Sequence, residues 1–315
     1  MLAYTGKRLL SLIPILGIVA IVVFFMIHLT PGDPAAIMLG PEASQQDIAN
    51  LRSHLGLDEP VIVRFAEWIG GVLTGDLGTS IFMKMPVSEA IMEHAGPTVS
   101  LTIMAQFIAI IIAIPLGIWA ARKKGELTDQ AVMGVSLLGI STPSFLIGLF
   151  LILLFAVRLH WLPASGYQPL TEGLGAHLKY LLLPSLSLGF MQAALIARMT
   201  RASMLEVLNQ SFIEIARAKG LHETTIVFKH ALRNASIPIL TVTGQSLALL
   251  IGGATVTESV FNIPGIGQLI VNSVERRDYE VIQGVVLVIA TLYVFINLVI
   301  DLLYGLLDPR VRLNR

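Results

Sequence analysis

Apolar residues along the chain form six long runs, separated by shorter segments that carry most of the charge. A helix that crosses the hydrocarbon core of a bilayer needs roughly 20 apolar residues, so runs of this length predict transmembrane helices. The six predicted spans are residues 9–29, 99–119, 131–157, 178–197, 237–256 and 281–303. We therefore expect an all-α polytopic membrane protein with a single transmembrane domain over residues 1–315.

Composition supports the prediction of a membrane protein and excludes several functional classes. Only 13% of the residues are charged, against about 25% in ordinary soluble domains. The formal net charge is zero, so bulk electrostatics indicate no nucleic-acid partner. The chain contains no cysteine, which excludes disulfides, cysteine-based zinc sites and thiol nucleophiles.

The distribution of Lys and Arg predicts the orientation, because cytoplasmic loops carry an excess of basic residues. Fourteen of the 21 basic residues precede span one, follow span two, lie between spans four and five, or follow span six. Both termini and these two loops are therefore expected in the cytoplasm. The opposite side holds residues 30–98, with nine acidic and three basic residues.

The extracytoplasmic segment 30–98 is too long for a simple connection and is expected to be partly helical. Ser44 and Asp47 resemble a capping box at the start of one helix. A second helix is indicated by an apolar stripe of Phe65, Trp68, Ile69 and Val72. Two short amphipathic helices would lie on the membrane or against the bundle, either as a structural cap or in contact with a delivered substrate or binding protein.

The cytoplasmic segment 198–236 reads as two amphipathic helices joined by a glycine turn. The apolar face of the first helix is predicted from Leu208, Phe212 and Ile215. Gly220 is expected in the left-handed conformation just beyond this helix, where Leu221 could touch Ala216 one turn back. The second helix should begin near Thr224. A compact helical hairpin of this kind, with apolar and basic groups exposed together, suits a cleft on a partner protein.

Several motifs carry a resemblance to a known family. The segments EIARAKG at 214–220, HALRN at 230–234 and Ile237-Pro238 look like the EAA loop of ABC importer permeases. Glu-Ile-Ala departs from a literal Glu-Ala-Ala, but such families vary at this point. Further motifs follow in the same order along the chain: KRLL at 7–10, TPGDP at 30–34, LGLDEP at 55–60, GDLGTS at 75–80, ESVFNIPGIG at 258–267, RDY at 277–279 and LDPR at 307–310. Together they resemble the first-type (B-type) subunit of the dipeptide/oligopeptide/nickel permease family.

This resemblance implies a type I ABC importer permease bundle in a bacterial or archaeal cytoplasmic (inner) membrane. Such a subunit forms half of a translocation pathway for di- or oligopeptides. Its implied partners are a second homologous permease, two ATP-binding cassette ATPase subunits, an extracytoplasmic substrate-binding protein and membrane lipid. The residues expected to couple ATPase closure to the membrane helices are Glu214, Ala216, Arg217, Lys219, Gly220 and Leu221.

Catalytic chemistry is not expected in this chain. It has no Gly-rich loop ending in Gly-Lys-Ser/Thr, so ATP would be used by partner subunits, and no cofactor is expected here. The seven histidines show no metal-ligand spacing. Two acids near span ends, Glu258 and Asp301, could serve as polar contacts between helices or in transport. Candidate pathway-lining residues are Ser136, Ser141, Thr142, Thr241, Thr243, Gln245 and Ser246, which could equally form hydrogen bonds between helices.

Other functions remain open at this point. A secondary transporter fits the topology, but it would require an inverted repeat with broken helices, which is not apparent. An intramembrane enzyme would require a base beside one of the serines in spans three and four. The same ABC machinery could also import nickel, glutathione, haem or sugar, because the binding protein sets most of the selectivity in such systems.

Overall fold

The computed structural model describes residues 2–28, 34–40, 43–54 and 56–307, and most of these residues are helical. The predicted all-α class is confirmed. The helices are α1 Leu2–His28, α2 Pro34–Leu39, α3 Gln45–His54, α4 Val61–Thr74, α5 Val87–Arg122, α6 Leu127–Ser141, α7 Ser144–Leu151, α8 Leu174–Leu208, α9 Ser211–Ala218, α10 Glu223–Thr225, α11 Leu232–Phe261, α12 Ile266–Arg276 and α13 Tyr279–Leu307. A π-helical turn, Ile152–Arg158, continues α7, and a second, Ile226–Ala231, joins α10 to α11.

The six predicted spans fall on α1, α5, the α6–α7 pair, α8, α11 and α13. Among the described residues, four helical stretches are long and apolar enough to cross a membrane, and the α6–α7 pair would add a fifth. The described apolar part of α1, Leu10–Met26, is shorter than the others. The last residue of the first predicted span, 29, and the basic residues beyond 307 lie outside the described residues. The count of six spans therefore stays a prediction.

The third predicted span is bent rather than continuous. Residues 131–157 fall on two helical segments, Leu127–Ser141 and Ser144–Arg158, whose axes differ by 104°. Thr142 lies between them in an extended conformation, with φ −98° and ψ 124°. Pro143 favours this conformation, because proline disfavours helical backbone in the preceding residue and has no N–H to donate to the preceding turn. The structure has no single helix over residues 131–157.

Two helices extend beyond the predicted span boundaries. α5 has 36 residues and begins at Val87, inside the predicted extracytoplasmic segment. α8 has 35 residues and ends at Leu208, inside the predicted cytoplasmic loop. At 1.5 Å rise per residue each is roughly 50 Å long, well beyond the ~30 Å hydrocarbon core. The connection between α8 and α11 is therefore shorter than 198–236 and covers residues 209–231.

Small residues allow α5 and α8 to pack closely along most of their length. A Cβ atom added to Gly117 would lie 2.7 Å from the carbonyl oxygen of Ala197, and one added to Gly189 would lie 2.8 Å from that of Ala105. Contacts this short are possible only without a side chain, as is typical of packed membrane helices. The α5–α8 pair forms the scaffold on which the other helices are arranged.

The segment 30–98, which was predicted to be extracytoplasmic, is partly helical as expected, and it contains α2, α3, α4 and the start of α5. The N-cap half of the predicted capping box is formed, since the Asp47 N–H donates to Ser44 Oγ at 3.1 Å. The Asp47 carboxylate accepts the Ser44 hydroxyl at 2.6 Å, whereas in a full capping box it accepts the backbone N–H. The two aromatic residues of the predicted apolar stripe of α4 pack on α1, since the rings of Phe65 and Trp68 lie 5.2 and 5.6 Å from the ring of Phe24.

Candidate functional site

The hairpin of residues 209–231 is built around Gly220. This residue has φ +78°, which confirms the predicted left-handed turn. The Leu221 N–H donates to the Ala216 carbonyl at 3.2 Å, and the Gly220 N–H donates to the Arg217 carbonyl at 2.9 Å. These two bonds form a Schellman motif, which satisfies the last carbonyls of α9. The turn sets the angle between the two short helical segments.

The second half of the hairpin begins one residue earlier than predicted. The His222 side chain accepts a hydrogen bond from the Thr224 N–H and caps α10. Across the turn, Arg217 Nε donates to Glu223 Oε1 at 2.7 Å, and both side chains are about half exposed. The Arg217 guanidinium therefore holds the pKa of the Glu223 carboxyl below its usual range. Because this pair is exposed, we expect its contribution to stability to be small.

The inner side of the hairpin is packed into the bundle. Ile213 and Ala216 of α9 are buried together with Ile226, Val227 and Ala231 of the π-helical turn. They share one hydrophobic cluster with Ile118 and Ala121 of α5, Met204 and Val207 of α8, and Ala235 and Ile239 of α11. A force applied to the hairpin would therefore be transmitted directly to these three long helices.

The outer side of the hairpin exposes two of the three apolar residues that the sequence placed on one helical face, Phe212 and Ile215. Leu208 ends α8 and does not belong to α9, while Phe212 and Ile215 are 38% and 55% exposed. The buried residue of this turn is Ile213. Leu208 does not share a helical face with the other two residues, because the helix breaks at residues 209–210. Phe228, on the second half of the hairpin, is 57% exposed.

Five of the six predicted coupling residues are exposed on this hairpin. They are Glu214, Arg217, Lys219, Gly220 and Leu221. Ala216 is buried in the hydrophobic cluster at the root of the hairpin, so its side chain supports packing and cannot meet a partner. The outer surface thus combines exposed apolar side chains with basic and acidic groups, a composition suited to a protein interface. The coupling role of the five exposed residues stays a prediction.

An ion pair that the sequence did not reveal links α6 to α8 near the root of the hairpin. Both Nε and Nη2 of Arg201 donate to the carboxylate of Asp129, and the Nη2–Oδ2 distance is 2.7 Å. The Gly125 N–H donates to the same carboxylate at 2.9 Å. Asp129 is buried. The two residues are 72 positions apart in the chain, so no local pattern could have paired them.

We expect Asp129→Ala to lower the stability of the folded protein by about 2 kcal/mol, because it leaves the partly buried Arg201 charge without a partner. The unfolding temperature in detergent measures the effect. Asp129→Ala combined with Arg201→Ala should cost less than the sum of the two single changes. Glu126→Ala is the matched control, since its ion pair with Lys123 is exposed. Equal losses for Asp129→Ala and Glu126→Ala would contradict the expectation.

The predicted pathway residues do not form one surface. Ser246 is buried and donates to Gln106 Oε1 at 3.0 Å, while Gln106 Nε2 donates to the Thr243 carbonyl at 3.1 Å. Ser246 therefore takes part in a hydrogen-bonded contact between α5 and α11. Thr142, Thr241 and Thr243 each donate to a carbonyl one turn back on their own helix.

The other three candidates differ in exposure. Ser136 is buried, and it borders an apolar cavity of about 290 Å³ between α5, α6 and α8. Ser141 and Gln245 are exposed. Asp301 lies beside an apolar groove between α1, α11 and α13. Ser141 and Gln245 are thus the predicted residues left accessible to a second subunit or to cargo.

Glu258 anchors the start of α12. Its carboxylate accepts the Thr98 hydroxyl at 2.6 Å and the Gln268 N–H at 3.0 Å, and Thr98 Oγ1 accepts the Ile266 N–H at 2.8 Å. Its side chain is fully buried. A Cβ atom on Gly265 would lie 2.4 Å from the Glu258 carboxylate, so glycine is required there. Of the two roles considered for this acid, the contacts favour a polar link between helices.

Comparison with known proteins assigns the chain to a large group of transport components. A family model described as "Binding-protein-dependent transport system inner membrane component" matches residues 113–313. A second model, for the N-terminal part of such membrane components, matches residues 1–102.

Among the described residues, no group of three His, Asp or Glu side chains is placed to hold a metal ion.

Relatives match over the whole chain. A probable peptide ABC transporter permease, y4tP of Sinorhizobium fredii, is 43% identical over 98% of this chain and 99% of its own length. The glutathione transport system permease GsiC of Salmonella typhimurium is 45% identical, covering 99% of each chain. The dipeptide transport system permease DppB of Alkalihalophilus pseudofirmus is 43% identical, covering 99% of this chain and all of that protein.

The fold also matches a solved structure. A chain of the inward-facing MetNI methionine ABC transporter superposes on 70% of this chain and 96% of its own length, with a TM-score of 0.59 and 19% sequence identity. At this identity the match establishes a shared helical architecture only.

Proposed function

The chain belongs to the family of binding-protein-dependent transport system inner membrane components, so it is a membrane permease, and we propose that it forms half of the translocation pathway of an ATP-binding cassette importer for di- or oligopeptides. The observation that carries this proposal is the helical hairpin 209–231. It exposes apolar and charged side chains together on its outer side and is packed through its inner side against three long helices.

The proposed assembly contains a second homologous permease, two ATPase subunits and an extracytoplasmic substrate-binding protein. This chain has neither a phosphate-binding loop nor a catalytic constellation, so its own role is transport without catalysis, and it holds no cofactor. ATP is bound and hydrolysed by the ATPase partners. The energy of hydrolysis must therefore reach this chain through a protein–protein contact.

That contact is the outer side of the hairpin. Phe212, Ile215 and Leu221 enter a cleft on an ATPase, and Glu214 and Lys219 align the two proteins through charge. When the ATPases close, the hairpin moves and the cluster at its root displaces α5, α8 and α11. The Asp129–Arg201 ion pair transmits the displacement of α8 to α6, and hence to the bend at Pro143.

The proposed orientation follows from the charge distribution. The hairpin, both termini and the loop between α5 and α6 face the cytoplasm of a bacterial or archaeal cell, and residues 30–98 face the outside of its inner membrane. The pathway lies between this chain and the second permease, with Ser141 and Gln245 facing it. These two polar side chains are exposed, which is what a pathway shared with another subunit requires.

The cargo proposal rests on the printed functions of the relatives. Three of them are named for peptide, dipeptide and glutathione transport. Glutathione is itself a tripeptide, so all three names describe peptide-like molecules. We therefore propose a short peptide as cargo and keep glutathione as the second candidate.

The test is reconstitution into liposomes together with the partner subunits. We expect ATP-dependent accumulation of a short peptide or of glutathione when the binding protein and ATPases are present. This chain alone should give no sustained uptake, with or without ATP. Peptide uptake by the single subunit would overturn the proposal that transport requires the partner subunits. An assembled complex that moves neither peptide nor glutathione would overturn the proposed cargo.

A further inference from the structure

Helix α4 carries a second apolar stripe that none of the contacts described above involves. Phe65, Trp68 and Val72 face the bundle and are partly buried. Beside them, the positions Ile62, Ala66, Ile69 and Leu73 recur at helical spacing and form a continuous edge. Ile62 and Leu73 are 80% and 81% exposed. The helix therefore has an apolar surface about twice as wide as its contact with α1 requires.

The polar groups of α4 are kept away from this edge. On a helical projection with 100° between residues, Arg64 falls opposite Ile62 and Leu73, and Glu67 and Thr74 lie at least 100° from both. α4 contains no other charged residue. A helix with one apolar side and one narrow polar side is typical of segments that lie in a membrane interface.

The position of α4 along α1 places it at the end of the hydrocarbon core. Its aromatic rings contact Phe24 and Phe25, in the last turn of the apolar run Leu10–Met26. The rings of Phe25 and Phe65 are 6.2 Å apart and nearly parallel. Trp68 lies in the same cluster. Tryptophan is enriched at the boundary between hydrocarbon and headgroups, because its ring is apolar and its N–H is polar.

The exposed apolar surface of α1 leads directly to this cluster. Ile18, Ile21, Val22 and Phe25 are all exposed and lie on one side of α1, as expected for a side that faces lipid. This surface ends at Phe25, whose ring contacts the ring of Phe65. The apolar edge of α4 thus extends the lipid-facing surface of α1 along the membrane boundary.

We infer that α4 lies in the membrane–water interface on the extracytoplasmic face of the inner membrane. Ile62, Ala66, Ile69 and Leu73 are immersed among lipid chains, and Glu67 is turned towards water. The occupant of the exposed stripe is phospholipid. The helix would anchor the extracytoplasmic segment to the bilayer surface beside α1. This inference concerns residues far from the hairpin and does not depend on the identity of the cargo.

The absence of cysteine from the chain allows a direct test with single-cysteine variants. Ile62→Cys and Leu73→Cys would carry nitroxide labels in the apolar edge, and Glu67→Cys would carry one on the polar side. Ile18→Cys on α1 provides the lipid-facing reference. The full chain is reconstituted in vesicles of phosphatidylethanolamine and phosphatidylglycerol. Collision rates with oxygen, which concentrates in lipid, are compared with those for a water-soluble nickel chelate.

We expect the oxygen-to-nickel ratio at Ile62→Cys and Leu73→Cys to be several-fold higher than at Glu67→Cys and close to that at Ile18→Cys. Ratios at 62 and 73 equal to that at 67 would place α4 in water and overturn the inference. Low collision rates with both reagents would show that protein covers the stripe. Nickel access that is lost only when the substrate-binding protein is added would assign the stripe to that partner and would equally overturn a lipid contact.

A second measurement avoids labels on the stripe. The chain has three tryptophans, so Trp119→Phe with Trp161→Phe leaves Trp68 as the only tryptophan, which can be excited selectively at wavelengths where tyrosine does not absorb. Lipids brominated on their acyl chains should quench Trp68 strongly, and acrylamide in water should quench it weakly. Changing Ile62 and Leu73 together to Glu should reverse this order while leaving the protein inserted, because neither side chain is buried. Unchanged quenching in that double variant would contradict the inferred immersion.

Discussion

Gly220→Val should abolish coupled transport while leaving the protein inserted in the membrane. Gly220 has φ +78°, a conformation that costs a residue with a Cβ atom about 1–2 kcal/mol and a β-branched residue more. No neighbouring heavy atom lies within 4 Å of the position that a Cβ would occupy. The penalty is therefore one of backbone conformation alone. The chain can relieve it by leaving the left-handed region, which breaks the bond from Leu221 to Ala216 and changes the angle of the hairpin.

Insertion should be unaffected, because it depends on apolar length in helices remote from this turn. Co-purification with the ATPases, ATP hydrolysis stimulated by the loaded binding protein, and uptake in proteoliposomes measure the effect. Gly220→Asn is the matched control, since asparagine tolerates left-handed backbone better than other residues. It should retain most of the coupling. Full coupled transport by Gly220→Val would show that the hairpin is a passive connection and that energy enters elsewhere.

Glu258→Ala should cause a large loss of stability, about 3 kcal/mol. The fully buried carboxylate holds the Thr98 hydroxyl and the Gln268 N–H. Removing it leaves the Gln268 N–H without an acceptor and the Thr98 hydroxyl with only its long 3.5 Å bond to the His94 carbonyl, and it opens a cavity beside Gly265. The start of α12 would separate from α5 and α11. The unfolding temperature in detergent and the protease sensitivity of residues 262–278 measure the change.

Two variants test whether this loss comes from the hydrogen bonds. Glu258→Gln keeps the shape and one acceptor oxygen, so it should cost clearly less than the alanine change. Glu275→Ala serves as the control within α12, because Glu275 is exposed, and it should shift the unfolding temperature very little. An alanine variant at 258 as stable as the one at 275 would show that the buried carboxylate does not fasten the helices.

The bend at Pro143 illustrates the limit of local patterns. Pro14, Pro97, Pro115, Pro184 and Pro238 all lie inside continuous helices. Pro143 instead separates two segments that differ in direction by 104°. A proline removes the same N–H and clashes with the same preceding turn in every case. Whether the helix continues depends on the neighbouring helices that support it, and a single run of residues does not contain that information.

The sequence of α9 likewise does not determine which of its sides is buried. Phe212, Ile213 and Ile215 are all apolar, and any of them could have formed the buried side. Only the positions of α5 and α8 decide that Ile213 enters the core and that Phe212 and Ile215 remain exposed. The exposed pair is part of the proposed docking surface.

Local features were determined by the sequence itself. The apolar runs predicted the long helices because the length of a membrane helix follows from the thickness of the bilayer. The left-handed turn at Gly220 and the N-cap at Ser44 were predicted because each depends on the backbone of a few adjacent residues. The family motifs were also readable along the chain, and full-length relatives at 43–45% identity match it.

Long-range contacts were decided only by the tertiary structure. Asp129 meets Arg201 over 72 residues, Ser246 meets Gln106 over 140, and Glu258 meets Thr98 over 160. Each pair forms because the packing of the bundle brings two helices side by side. The chemistry of a polar side chain determines which groups it can bind. Its actual partner depends on which helix face lies opposite, and the packing of the whole bundle decides which face that is.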